Sequence, residues 1–205
     1  MFVTNYDWIS YWALMHELDT DNPKSKDFMW ELTDARLLFN IKRSYHLHGA
    51  LYLWRDAWSA TEGKRIGLQK EITQTLGGYG ENDSRRPLFV SEGDSDSKRK
   101  AILNSRYLTF CLDAFREDST DTIVFGHSLS DQDNHVVDAL RWGEKKKIAI
   151  SIFPGKSPAE IQEDILRFEK QLSGHYLYFF NSTTHPLGNK EPHIASNPVS
   201  AEGTE

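Results

Sequence analysis

The feature that most constrains this chain is the strict alternation of strand and helix signals between residues 122 and 180. Thr122 to Phe125 is an apolar, β-prone run stopped by Gly126. Ser130 and Asp133 then have the spacing of a capping box, which predicts a helix with Val136, Val137 and Leu140 inward. Lys147 to Phe153 is the next β-prone run. Ser157, Pro158 and Glu160 supply a cap, a first-turn proline and a box partner. The helix they open turns Ile161, Ile165, Phe168 and Leu172 to one side, and Tyr176 to Phe180 follows as a strand. Strand-helix-strand-helix-strand in so short a span predicts a parallel sheet layered with helices, an α/β domain.

Upstream the signals are sparser. Met1 to Thr4 reads as a short strand, and Asn5-Tyr6-Asp7 as a turn into a helix carrying Trp8, Tyr11, Trp12 and Met15 at helical spacing. Residues 19 to 27 read as a polar loop. Arg43 to His48 reads as a second strand, broken by Gly49 and resumed from Ala50 to Trp54. Gly77-Gly78-Tyr79-Gly80 predicts a mobile loop, and Leu88 to Val90 a short strand. One helix from about Ser97 carries Leu108, Cys111, Leu112 and Phe115 on a single face, with Lys98, Arg99 and Lys100 as its solvated start. Periodicity is lost after Asn181, so the expected organisation is an α/β domain over residues 1–180 and a disordered tail over 181–205.

Composition excludes several function classes. A net charge of -6 argues against a general nucleic-acid binder. Cys111 is the single cysteine, so neither an internal disulfide framework nor a cysteine-based zinc site is expected, and the residue reads as a small core hydrophobe. No apolar run approaches the roughly 20 residues of a membrane span. Neither membrane nor nucleic acid is an expected partner, and the expected compartment is the cytoplasm.

Ligands of an open parallel sheet bind beyond the carboxyl ends of its strands. Three polar segments stand at such ends: Thr4 to Asp7, His46 to Gly49, and Gly126 to Asp131. Asn5 offers donors and an acceptor for a water or a carboxamide, but with Asp7 it also fits a simple Asx turn and cap. His48 titrates near neutrality and suits proton abstraction from a hydroxyl, or else is a strand-end histidine bonded to backbone. Gly49 permits close backbone approach to a ligand. Gly126-His127-Ser128 suits nucleotide contact at a helix start, or a plain strand-to-helix turn. His127 and His135 have no convincing metal-ligand spacing with a carboxylate, so no metal site is expected.

Taken in order, these segments resemble the sirtuin-like superfamily. Thr4-Asn5-Tyr6-Asp7 is similar to its Asn-x-Asp segment, Leu47-His48-Gly49 to its histidine motif, and Phe125 to Asp131 to its Gly-x-Ser-Leu turn. The run from Leu88 to Leu103, with Phe-Val-Ser-Glu-Gly, is closer still to an uncharacterised bacterial family of unknown function related to sirtuins. The resemblance implies a three-layer Rossmann-like parallel sheet with helices on both faces, lacking its first β-α unit. It implies NAD as substrate or ligand, and a bacterial, defence-type NAD hydrolase. Asn5 and His48 would be catalytic. Thr4, Asp7, Gly49, Gly126, His127, Ser128 and Asp131 would contact the nucleotide.

The family's first strand and Gly-Ala-Gly phosphate loop should lie upstream of Thr4. The expected partners are therefore a small-molecule nucleotide and either a homo-oligomer mate or a chain that supplies this part. The alternative expectation is an inactive remnant that binds nucleotide or partners.

Overall fold

The computed structural model describes residues 1–6, 25–26, 42–64, 83–185 and 187. Among them the chain is mixed α/β, with four α-helices, a three-stranded parallel sheet, a three-stranded antiparallel sheet and two short parallel strand pairs. The helix expected after Asp7, most of the 19–27 loop, the Gly77–Gly80 loop and most of the tail lie outside the described residues. The chain divides into two units, Met1–Asp118 with Leu129–Gly143, and Ser119–Ser128 with Glu144–Glu205.

The first unit begins with β1 (Phe2–Val3); β2 (Ser25–Lys26) pairs in parallel with β3 (Lys42–Arg43). β1 pairs in parallel with β4 (Tyr45–His46), in the register Phe2 to Tyr45 and Val3 to His46. The second strand expected from Arg43 to His48 is thus two short ones separated by Ser44. β5 (Gly49–Asp56) is the centre of an antiparallel sheet, between β6 (Glu62–Lys64) and β7 (Arg85–Phe89).

A purely parallel sheet does not describe this unit, because a connection as short as residues 57–61 reverses the chain rather than crossing it over. Asp56 organises that reversal. Its Oδ1 accepts from the Trp58 and Ser59 amides at 2.9 and 2.7 Å and from Ser59 Oγ at 2.9 Å, and Oδ2 accepts from Ser84 Oγ. These donors hold the Asp56 carboxyl well below the usual carboxylate range, the Ser59 amide foremost.

The single helix expected from Ser97 is two. α1 (Ser95–Leu103) is capped by Asp94, which accepts from Ser97 N. α2 (Arg106–Arg116) is capped by Ser105, which accepts from Leu108 N at 3.1 Å. A serine that satisfies a first-turn amide starts a new helix rather than extending the old one. α2 buries Tyr107, Leu108, Cys111 and Phe115, so Cys111 is the core hydrophobe expected of it. Leu112 is only half-buried.

The capping box expected at Ser130 does not form. Asp131–Asp133 is a single 3-10 turn in which the Ser130 side chain makes no capping bond, and α3 (Asn134–Arg141) follows. The Asp133 carboxylate is drawn instead to Lys98, whose Nζ lies 2.9 Å from Oδ1.

The second unit holds the three strands of the expected alternation and its second helix, while α3 falls in the first unit. β8 (Thr122–Val124), β9 (Lys147–Ile152) and β10 (Tyr176–Asn181) form a parallel sheet in the order β10-β9-β8. Alternate residues Ile148, Ile150 and Ile152 of β9 are buried, the period expected of a pleated strand. α4 (Pro158–Gln171) opens with the expected box: Ser157 N–H donates to Glu160 Oε2 at 2.8 Å, and Glu160 N–H to Ser157 Oγ at 3.3 Å. Phe168 of α4 stacks on Phe179 of β10 at 6.2 Å between ring centroids. Among the described residues no helix is long and apolar enough to cross a membrane.

Candidate functional site

The β1–β4 pairing sets the site in the first unit. Val3 and His46 are register partners, and Asn5 and His48 each stand two residues beyond them, past the carboxyl ends of adjacent parallel strands. Leu47 N–H donates to Val3 O at 2.8 Å, which carries the pairing one residue past the strand. Asn5 is exposed and Thr4 half-buried.

Gly49 then turns the chain with φ +76°. A Cβ there would lie 2.2 Å from Leu88 O, so the close approach this glycine permits is that of β7. Val90 N–H donates to His48 O at 2.8 Å and fixes the backbone carrying the imidazole.

His48 is buried and meets a second buried imidazole. Its Nε2 lies 2.7 Å from Nε2 of His135, in the first turn of α3, with ring centroids 4.9 Å apart. Such a contact needs one N–H and one bare lone pair, so a single proton sits between the two nitrogens. Asp133 Oδ1 is 3.8 Å from His48 Nε2, an electrostatic neighbour rather than a hydrogen-bond partner. Lys98 Nζ holds the same oxygen at 2.9 Å, and the exposed carboxylate of Glu92 lies 3.9 Å from that ammonium. Lys98 is only 6% exposed, so it is not the solvated helix start expected from its sequence.

His46 is a structural contrast. It is fully buried, its Nε2 is 2.6 Å from Tyr52 Oη, and the two rings meet edge to face. It pins β4 to β5 within the core.

The remaining residues indicated by the sequence fall as follows. Asp131 is exposed on the 3-10 turn of the first unit. In the second unit Gly126 has φ +67°, and its N–H donates to Ser151 Oγ at 3.0 Å. A Cβ there would meet nothing within 4 Å, so glycine answers to the backbone angle and not to crowding. His127 is half-buried; Ser128 is exposed, and its carbonyl accepts from Arg167 Nη1 at 2.9 Å. Asp7 lies outside the described residues.

The residues that sequence reasoning missed are His135, Asp133 and Lys98. Asp133-x-His135 directly after a strand-end turn was the available signal for the first two. For Lys98 it was the four-residue spacing to Ile102, which places both on the inner face of α1.

Comparison with protein families adds one finding. Residues 1–187 match the family described as Domain of unknown function (DUF4917). The chain belongs to that family. The match spans both units and every candidate residue named above. Comparison with curated proteins and with solved structures finds no match. Chemistry in the DUF4917 domain is therefore argued from its own side chains.

Proposed function

We propose that this DUF4917 domain is a sirtuin-like NAD hydrolase, a Rossmann-like three-layer domain in which His48 is the proton acceptor and Asn5 positions the attacking water. The observation that carries the reading is the register of β1 with β4. It stands Asn5 and His48 past the same ends of two neighbouring parallel strands, where ligands of parallel α/β sheets bind.

The reaction splits the glycosidic C–N bond between ribose and nicotinamide. The electron pair leaves with the nicotinamide ring and cancels its positive charge. Water adds to the ribose carbon and loses a proton, giving ADP-ribose. His48 polarises the chemistry by accepting a hydrogen bond, then a proton, from a ribose hydroxyl; the proton lost by the water restores that hydroxyl, and His48 releases its own to solvent.

In the resting arrangement His135 Nε2 holds the position at His48 Nε2 that such a hydroxyl would take. A hydroxyl both donates and accepts, so it exchanges for the second ring without stranding the first. Asn5, exposed and past the strand end, would present its amide to water in this reading. Asp131, exposed in the same unit, is a nucleotide contact of this reading.

The test is nicotinamide release from NAD. Release that depends on His48 supports the hydrolase. Saturable NAD binding with no release, in wild type and variants alike, identifies a nucleotide-binding module instead.

A further inference from the structure

We propose that His48, Asp133 and His135 form a binding site for one late first-row divalent cation, of the Zn²⁺ or Co²⁺ class. This goes beyond the NAD reading, does not rest on it, and reverses the sequence expectation of no metal. The three side chains each offer one ligand atom, an imidazole nitrogen of His48, an imidazole nitrogen of His135 and a carboxylate oxygen of Asp133, and these atoms all lie within 4.8 Å of one another.

Tetrahedral coordination with bonds of about 2.0–2.1 Å places ligand atoms about 3.3 Å apart. Two of the separations bracket that value: 2.7 Å between the two Nε2 atoms and 3.8 Å from His48 Nε2 to Asp133 Oδ1. Binding needs the imidazoles to part by about 0.6 Å and the carboxylate to close in, movements that χ rotations supply.

The donor set also fits the ion. Two imidazoles and one carboxylate suit Zn²⁺ and its neighbours, whereas Mg²⁺ and Ca²⁺ prefer oxygen. Three protein ligands leave one coordination position open. Burial of both rings removes them from water in advance.

The Lys98 ammonium, 2.9 Å from Asp133 Oδ1, is a built-in competitor for the carboxylate. It makes the site weaker than its ligand set alone would be. An ion on His48 Nε2 also takes the lone pair that proton abstraction uses, so a filled site and an active base exclude one another.

The experiment is titration of the chelator-treated full chain with Co²⁺, followed by visible absorption, a readout independent of NAD turnover. One equivalent should develop the intense bands of a low-coordinate Co²⁺ ion. Asp133→Asn and His135→Ala should weaken binding by more than about 100-fold, beyond the loss typical of an outer-shell partner. His185→Ala, at a ring outside the site, should bind as wild type does. Lys98→Met should bind more tightly, and serves where a ligand variant fails to fold. Absence of saturable Co²⁺ absorption, undiminished binding by folded Asp133→Asn and His135→Ala, or unchanged or weaker binding by Lys98→Met would each overturn the site.

Discussion

His48 Nε2 and His135 Nε2 meet at 2.7 Å across 87 residues of sequence, and both rings are buried. Neither ring reaches the other through a local motif. One is delivered by the parallel pairing of β1 with β4, the other by the first turn of α3. With a single proton between them, long-range ¹H–¹⁵N spectra of the metal-free protein should show one Nε2 protonated and the other bare. Protonation at both Nε2 atoms would break the contact.

Gly49 is where the strand end and the antiparallel sheet are joined. Its φ of +76° is unfavourable for any side chain, and an added Cβ would stand 2.2 Å from Leu88 O. Gly49→Ala should therefore cost at least about 2 kcal/mol, since β7 must shift or the turn must reform. Urea unfolding gives the value. A midpoint equal to wild type would contradict the described approach of β7.

Much of the second unit was legible because its punctuation is local. Gly126 stops β8, and Ser157 with Glu160 starts α4 through bonds between near neighbours. The first unit was less legible because its decisive contacts are long-range. Ser105 reads as one more helical residue until its hydroxyl is seen to cap Leu108. Ser130 and Asp133 have capping-box spacing, yet Lys98 from another helix claims the carboxylate. Lys98 itself reads as solvated because its partner is 35 residues away. The candidate histidine at 48 was visible as a strand-end residue before glycine. His135 was hidden, since nothing local says what its ring will face.

Cys111 is fully buried, and desolvation pushes its thiol up to about 12. Native protein should react slowly with a disulfide reagent at mildly alkaline pH and fully in denaturant. The folded pKa is raised, so this contribution to stability is present below the unfolded value near 9.0 and is lost as pH rises toward about 12. Cys111→Ala should lose that part of the alkaline slope. Rapid native modification would place the thiol at the surface.

Asp56 supplies the opposite case. Its folded pKa is depressed by the Ser59, Ser84 and Trp58 donors, so its contribution is present above the ordinary carboxylate range and fades as pH falls through the folded value. Asp56→Ala should lower the unfolding midpoint at neutral pH and converge on wild type in strong acid. A difference that stays constant with pH would mean the turn does not depend on the charge.

The central claim is that His48 acts on NAD. The most direct measurement is nicotinamide release from NAD by the 205-residue chain as wild type, Asn5→Ala and His48→Ala. The wild type should release nicotinamide. His48→Ala should lower turnover by about 10² to 10⁴, the range for loss of a general base, and Asn5→Ala should lower turnover while sparing most of the nucleotide affinity. Turnover unchanged in His48→Ala, or tight NAD binding by the wild type with no nicotinamide released, would contradict the account.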